Sequence, residues 1–174
     1  MESANKMMSV IAFVLTIVQV MGAPIDTKAV VAFSSGLTST QYIMNGETVV
    51  YDRVFLNDHD GYDKYTGIFT CPVAGTYIFH VHAYSTNKDT VMWLNLLHND
   101  QSLVSVSGYN SHTVGSNTVM LKLRKMDRVQ IKAQDQMQFA LFGLDTQVYS
   151  TFAGFMLYPD VSGPAMDSGA QIVG

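Results

Sequence analysis

Apolar and polar residues alternate with a period of two along most of this chain, which is typical of half-buried β-strands. The clearest case follows Gly75, where four apolar side chains fall on one face of the predicted strand: Tyr77, Phe79, Val81 and Ala83. His80 and His82 fall on the opposite face. Short runs of this kind are separated by Gly, Asn, Asp and Ser, and no convincing helical period follows the N-terminal apolar run. The pattern predicts an all-β domain of two packed sheets, with strands at 29–34, 41–43, 49–56, 67–70, 75–84, 91–97, 102–106, 118–123, 129–133, 138–142 and 151–158.

A hairpin is predicted late in the chain, on either side of a turn at 125–127. Its apolar residues alternate onto one face: Val119, Leu121, Leu123, Val129, Ile131 and Ala133. The polar side chains between them are expected in solvent: Lys122, Arg124, Gln130 and Lys132.

The segment 151–158 and most of 91–97 differ from the other strands because they are apolar or small on both faces. One face of each is expected to pack on the opposing sheet. A neighbouring subunit is expected to cover the second face, since large bare apolar patches mark interfaces.

The two ends of the chain are expected to lie outside the folded domain, which is assigned to residues 28–160. Lys6 precedes an apolar run at 7–21 that ends at Gly22 and Ala23, a pattern typical of a secretory signal peptide cleaved near residue 23. The alternative is a membrane anchor, but the run is shorter than the roughly twenty residues that span a bilayer. The small and polar residues of 161–174 predict a flexible tail.

Charge and cysteine content restrict the partners of the secreted chain. After removal of residues 1–23 it keeps nine basic and thirteen acidic residues without a basic cluster, which argues against nucleic acid and anionic membranes as partners. Cys71 is the only cysteine, so no intrachain disulfide is available. A buried thiol is favoured over a bond to a second chain.

Catalytic and metal-binding patterns are weak. A Gly-x-Ser-x-Gly motif is absent, and Glu47 is the only glutamate after residue 23, so the chain is not predicted to be an enzyme. A hydrolase is an alternative for which no residue can be nominated. His80 and His82 have the spacing of two zinc ligands, but an ordinary surface or core role is favoured.

An acidic loop is the one candidate for calcium. Asp58, Asp60 and Asp63 alternate with Asn57 and Gly61, and oxygen-rich loops of this kind hold calcium in some proteins. The loop lacks the spacing of an EF-hand. The alternative is an Asx-rich turn in which these side chains bond to their own backbone.

The segment 105–117 has the composition of a recognition loop, because it combines small polar residues with an aromatic ring. The alternative is an ordinary connection between strands. Two further polar loops, at 135–136 and 145–147, are expected nearby. The candidate ligand-binding residues are Tyr109, Asn110, His112, Asp135 and Gln136.

An aromatic and glycine frame at 55–79 carries a family resemblance. Its residues are Phe55, Gly61, Tyr62, Gly67, Phe69, Pro72, Gly75, Tyr77 and Phe79, and Gly154 and Phe155 extend it near the last strand. Gly67 and Gly75 bracket a short strand where positive φ is expected at the corners. The frame resembles the signature of the C1q globular-head family. That family usually has glycine before the turn aspartate, where this chain has Met126, so the type of this turn stays open.

The resemblance implies a ten-strand antiparallel jelly-roll sandwich of the tumour necrosis factor type that assembles as a homotrimer. The chain looks most like the short secreted form of invertebrates, because the presumed cleavage point near residue 23 lies close to the first predicted strand at 29–34. No Gly-X-Y repeat or heptad run is present, so no collagen stalk is expected. The resemblance implies multivalent, lectin-like binding of carbohydrate or microbial surfaces in innate immunity. No cofactor is implied beyond calcium, which some relatives bind. An extracellular protein ligand of the cytokine or matrix type, including one that binds mineral or metal, is the alternative.

Overall fold

The computed structural model describes residues 30–160, so the predicted signal peptide and tail lie outside the described residues. Strands and their connections make up this whole range, without a helix. The strands are β1 (Ala32–Gly36), β2 (Ser39–Met44), β3 (Arg53–Asp58), β4 (Tyr62–Asp63), β5 (Ile68–Thr70), β6 (Gly75–Ser85), β7 (Met92–His98), β8 (Gln101–Gly108), β9 (Thr113–Leu123), β10 (Arg128–Ala133), β11 (Gln138–Leu144) and β12 (Thr151–Pro159).

Two five-stranded sheets form a sandwich. The first sheet has the order β3-β1-β12-β6-β9 and the second has β4-β5-β10-β7-β8, with antiparallel pairing throughout. These ten strands confirm the predicted jelly-roll sandwich. A separate two-stranded ribbon of β2 and β11 brings the total to twelve.

The core between the sheets is rich in aromatic rings. Phe33 lies at its centre, with its ring centroid 5.0 Å from that of Tyr62, 5.0 Å from that of Phe69 and 4.9 Å from that of Phe152. The predicted inward face of β6, from Tyr77 to Ala83, is fully buried in this core. Rings of this size supply most of the apolar area that stabilises a sandwich.

Two glycines of the family frame are needed for different reasons. Gly67 has φ of +73°, as predicted for a corner. Gly75 does not, and the expectation of positive φ there is wrong, because it is the first residue of β6. A Cβ at Gly75 would lie 2.6 Å from the carbonyl oxygen of Tyr158, so close strand packing requires glycine at this position.

The predicted hairpin around 125–127 is wrong. β9 pairs with β6 in the first sheet, whereas β10 pairs with β5 and β7 in the second. The turn therefore crosses from one sheet to the other, with Met126 at φ of +75°. Alternation places the apolar residues of both strands toward the core, but it does not distinguish neighbours in one sheet from strands in facing sheets.

The polar residues of β10 also differ from the prediction. Gln130 is 4% exposed rather than in solvent, because Thr48 and Asp100 hydrogen bond to its side chain. The segment around Thr48 runs beside β10 and bridges to Lys132. The predicted strand at 49–56 accordingly begins only at Arg53, although Val49 is buried.

Two buried tyrosines carry hydroxyls with different surroundings. The Tyr62 hydroxyl donates to the carbonyl oxygen of Tyr51 and accepts from its N–H, both at 3.1 Å. The Tyr51 hydroxyl is buried and has no hydrogen-bond partner within residues 30–160. Burial raises the pKa of both hydroxyls, to about 12 for Tyr62.

The sandwich has two distinct ends. At one end Ser85 pairs with Thr113, so the β6–β7 and β8–β9 loops lie together there, and we call this the loop end. At the opposite end β6 begins, the Met156 N–H donates to the carbonyl oxygen of Val31, and the Asp160 N–H donates to that of Ala74. The described chain thus enters and leaves at the end away from the loops.

Candidate functional site

The recognition loop is shorter than predicted. Residues 105–108 belong to β8 and residues 113–117 to β9, so only Tyr109 to His112 connect the two strands. The prediction of a loop over the whole of 105–117 is therefore wrong. Its polar residues alternate along two edge strands of different sheets, a pattern that is also compatible with solvent-facing strand positions.

The loop presents one exposed aromatic ring and one exposed imidazole that is hydrogen-bonded to a neighbouring strand. The Tyr109 side chain is 69% exposed, and Asn110 beside it is exposed. His112 has φ of +59°, and its Nδ1 is hydrogen-bonded to the Tyr84 hydroxyl at 2.6 Å. The loop therefore combines a free aromatic face with polar groups close to it.

Three aromatic rings pack together at the loop end, and one of them, that of Tyr84, lies next to His112. Tyr84 lies 5.0 Å from Tyr149 and 5.6 Å from Phe142, measured between ring centroids. The Tyr84 N–H donates to the Ser150 hydroxyl, which fixes the start of β12 beside the end of β6. We call Tyr84, His112, Phe142 and Tyr149 the aromatic cluster. The three rings come from separate segments and share no motif, so the sequence alone does not predict that they meet.

Asp135 and Gln136 lie on the β10–β11 loop, and Asp135 does not join the aromatic cluster but lines a polar pocket. This loop is close to the start of β7, since the Gln134 N–H donates to the carbonyl oxygen of Trp93 at 2.9 Å. Gln136 has φ of +65° and is exposed. Asp135 lines a pocket of about 360 Å³ on the outer face of the second sheet. The predicted ligand residues thus fall into two groups, and no hydrogen bond in the described part of the chain connects them.

The outer face of the first sheet is uncharged at its centre, and Arg53 and Asp58 of β3 and Lys122 of β9 lie at its borders. Three rows of paired residues cross β1, β12, β6 and β9: Ala32-Phe155-Ile78-Met120, Ser34-Ala153-His80-Thr118 and Gly36-Thr151-His82-Ser116. None of these twelve side chains carries a fixed charge. Phe155 is 42% exposed and Met120 is 65% exposed. The prediction that 151–158 is apolar on both faces is confirmed, and its outer face is bare in the single chain.

The predicted calcium residues are arranged as a turn. The Asp63 carboxylate accepts hydrogen bonds from the Tyr65 N–H at 2.8 Å and from the Thr66 hydroxyl at 2.9 Å. These bonds, that of the Tyr65 N–H above all, lower the pKa of Asp63. Asp58 and Asp60 are exposed, and Asp60 has φ of +49°. This is the geometry of the Asx-turn alternative.

Histidine and cysteine side chains have ordinary surroundings. His80 is hydrogen-bonded through Nδ1 to the Thr118 hydroxyl at 2.9 Å and lies 6.2 Å from the Phe155 ring. Within residues 30–160, no group of three His, Cys, Asp or Glu side chains is placed to hold a metal ion. Cys71 is buried, as predicted, with its thiol directed at the carbonyl oxygen of Val73 at 3.1 Å, and burial raises its pKa.

A second cavity, of about 440 Å³, lies at the end away from the loops. The Asp127 carboxylate accepts hydrogen bonds there from Asn99, His98 and the Arg124 N–H, and these contacts lower its pKa to about 2. Lys122 pairs with Asp160 at 3.3 Å. Because the acidic groups bond to residues of the chain itself, this cavity is explained by the packing of the crossing turn.

The residues of this sandwich are similar in sequence to known proteins. A family model described as "C1q domain" matches residues 32–157. Caprin-2 of Danio rerio is 32% identical over 117 residues, which are 66% of this chain and 12% of caprin-2. A subunit of the complement C1q subcomponent of Bos taurus is 32% identical over 139 residues, which are 78% of this chain and 55% of the bovine protein. The chain spans only part of the length of these relatives.

The fold is also similar to that of solved structures of C1q and tumour necrosis factor-like domains. The globular domain of zebrafish complement 1qA has a TM-score of 0.59 and 27% identity, covering 75% of this chain and 99% of that one. Eiger TNF of S. frugiperda has a TM-score of 0.60 at 14% identity, over 79% and 98% of the two chains. Murine APRIL has 0.59 at 11% identity, over 74% and 99%. The last two share the fold alone. With the predicted frame at 55–79 inside the matched range, the chain belongs to the C1q domain family.

Proposed function

We propose that this protein is a secreted, homotrimeric recognition protein of innate immunity that binds carbohydrate on microbial surfaces and has no catalytic role. The observation that carries the proposal is the uncharged centre of the outer face of the first sheet, on β1, β12, β6 and β9, next to the loop end of the sandwich. A face of this kind is stable when it is buried against copies of itself. Family membership and the predicted signal peptide support secretion and assembly.

Assembly through this face gives the loop end its function. Tyr84 of the aromatic cluster is on the same face of β6 as His80 and His82, so the cluster lies at the loop-end edge of the contact. Three copies of Tyr109 and Asn110 would then stand on one rigid body and face the same way. Weak sites that engage a repetitive surface together bind far more tightly than one site alone.

The chemistry of the loop fits a sugar. The exposed ring of Tyr109 offers an apolar face, and Asn110 offers both a donor and an acceptor. Sugar rings present apolar faces bordered by hydroxyl groups, so stacking on tyrosine and hydrogen bonding to asparagine act together. The net charge of the chain is negative, so it repels a polyanion and favours a neutral ligand.

The test is retention on a glycan array and on whole bacteria, using the secreted protein, Tyr109→Ala and the control Tyr65→Ala. Tyr65 is 81% exposed on the β4–β5 connection, so its loss removes a similar ring elsewhere. We expect Tyr109→Ala to lose most of the retention and Tyr65→Ala to keep it. Failure of the unchanged protein to bind any glycan or microbe, with saturable binding to host cells, would reject the proposal in favour of a protein ligand.

A further inference from the structure

The polar pocket on the outer face of the second sheet is a built cavity. Its floor is formed by Asn95 and Leu97 of β7, which are only 8% and 9% exposed. One wall contains Lys132, Gln134 and Asp135 with Gly46 beside them, and the other contains Asp100 and Ser102. Its volume of about 360 Å³ falls in the range of roughly 300–1,000 Å³ that small-molecule pockets occupy.

Hydrogen bonds to other residues hold the floor in place. Asn95 accepts a hydrogen bond from the Ser105 hydroxyl at 2.7 Å and donates one to Gln134 Oε1 at 2.7 Å. The amide is therefore fixed at both of its ends. Its second N–H and second oxygen lone pair stay available to a ligand, because an amide has more bonding positions than these two contacts use.

The opposite side of the pocket is held in a similar way. Buried Gln130 donates to Asp100 Oδ1 at 3.0 Å and accepts from the Thr48 hydroxyl at 3.0 Å. Asp100 thus keeps a fixed position with one oxygen free of this contact. Pre-organised polar groups lower the entropic cost of binding.

Several groups of the walls have no side-chain partner. In the range 30–160, no side-chain hydrogen bond or ion pair involves Ser102, Lys132 or Asp135, and Gln134 uses only its oxygen. Two residues before Asn95 on the same strand face, the buried indole N–H of Trp93 also has no partner in this range. The lining therefore offers both donors and acceptors together with the apolar side chain of Leu97.

We propose that this pocket binds one pyranose unit of a neutral sugar. Hydroxyl groups act as donors and acceptors at once, so they match a ring of amide, carboxylate, hydroxyl and ammonium groups better than any ligand with a single type of polar atom. One lysine beside two aspartates disfavours an anion. The inference rests on the proposed function and adds to it a second contact for the carbohydrate, on the side of the sandwich away from the assembly face.

The test is an NMR titration of the secreted protein with free mannose, galactose and N-acetylglucosamine. We compare it with Asp135→Ala, Ser102→Ala and the control Asp89→Ala, an exposed aspartate of the β6–β7 loop that does not line the pocket. At least one sugar should bind. Asp135→Ala should weaken it by about tenfold or more, since a charge-assisted hydrogen bond is lost, and Ser102→Ala by about threefold. Asp89→Ala should bind as the unchanged protein does.

If Asp135→Ala and Asp89→Ala bind the sugar equally well, the pocket is not the sugar-binding site, whatever the affinity. Absence of binding to all three sugars, while retention on glycan arrays still depends on Tyr109, would overturn the pocket and leave the proposed function intact. Absence of both would reject the two proposals together. Loss of binding in Asp135→Ala with an unchanged spectrum outside the pocket separates a ligand contact from unfolding.

Discussion

The two outer faces of the sandwich are built in opposite ways. On the first sheet, three rows of uncharged residues lie side by side, and Phe155 and Met120 are bare. On the second sheet, the corresponding positions of β7 and β10 carry Asn95, Gln130 and Lys132, and hydrogen bonds join the two amides to their neighbours. The single chain leaves the apolar side chains of the first face uncovered, whereas on the second face it supplies hydrogen-bond partners for the two amides.

The difference shows how one fold separates assembly from binding. An apolar face gains free energy when any complementary apolar surface removes it from water. A networked polar face gains little from such burial, but it holds individual polar groups in fixed directions. A trimer that uses the first face leaves the second face of every copy in solvent.

The largest expected effect comes from a charge on the first face. Phe155→Asp places three carboxylates in the proposed contact, where burial of unpaired charge is costly. We expect the trimer to dissociate at least about 30-fold more readily, which is the loss of one strong contact at an interface. Light scattering across a series of protein concentrations measures the dissociation of the trimer.

The matched control is Leu103→Asp on β8 of the second sheet, where the side chain is 38% exposed against 42% for Phe155. This variant should stay trimeric. If Phe155→Asp is also trimeric, or if the unchanged protein is a monomer at micromolar concentration, the contrast between the faces does not govern assembly.

A smaller effect is expected from removing one hydrogen-bonding side chain on each face. Asn95→Ala leaves Ser105 and Gln134 without their partner on a buried floor and should lower the free energy of unfolding by about 1–3 kcal/mol. In the dissociated Phe155→Asp background, where this face is in solvent, Thr118→Val removes an exposed hydrogen bond to His80 and should change the free energy of unfolding by less than about 0.5 kcal/mol. Urea denaturation of both variants measures the two changes in the free energy of unfolding. Equal losses would mean that the two faces do not differ in how they hold their polar groups.

The smallest effect is expected between the faces, in the core. Tyr51→Phe removes a buried hydroxyl without a partner in the described range, so stability should be unchanged or rise by up to about 1 kcal/mol. Tyr62→Phe is the control, because it strands the N–H and carbonyl of Tyr51 and should cost about 1–3 kcal/mol. The midpoints of thermal unfolding of the two variants measure this difference in stability. A loss in Tyr51→Phe as large as that in Tyr62→Phe would show that the Tyr51 hydroxyl has a stabilising partner.

The sequence was sufficient for the fold class because alternation and the frame at 55–79 depend on local geometry. β6 shows this, since each inward position from Tyr77 to Ala83 is buried as predicted. The pairing of β9 with β6 rather than β10 was not predictable, because both arrangements bury the same residues. Asp135 was identified from its polar loop, but its pocket depends on Asn95 from β7. An asparagine within an otherwise apolar strand was the available signal.

The described chain enters the sandwich at residue 30 and leaves it at Asp160, both at the end away from the loops. A bead, lipid anchor or fluorescent protein fused at either terminus should therefore leave Tyr109 pointing outward and accessible. The protein can be immobilised in this way for surface measurements, or displayed on a cell, without modifying the residues that are proposed to bind.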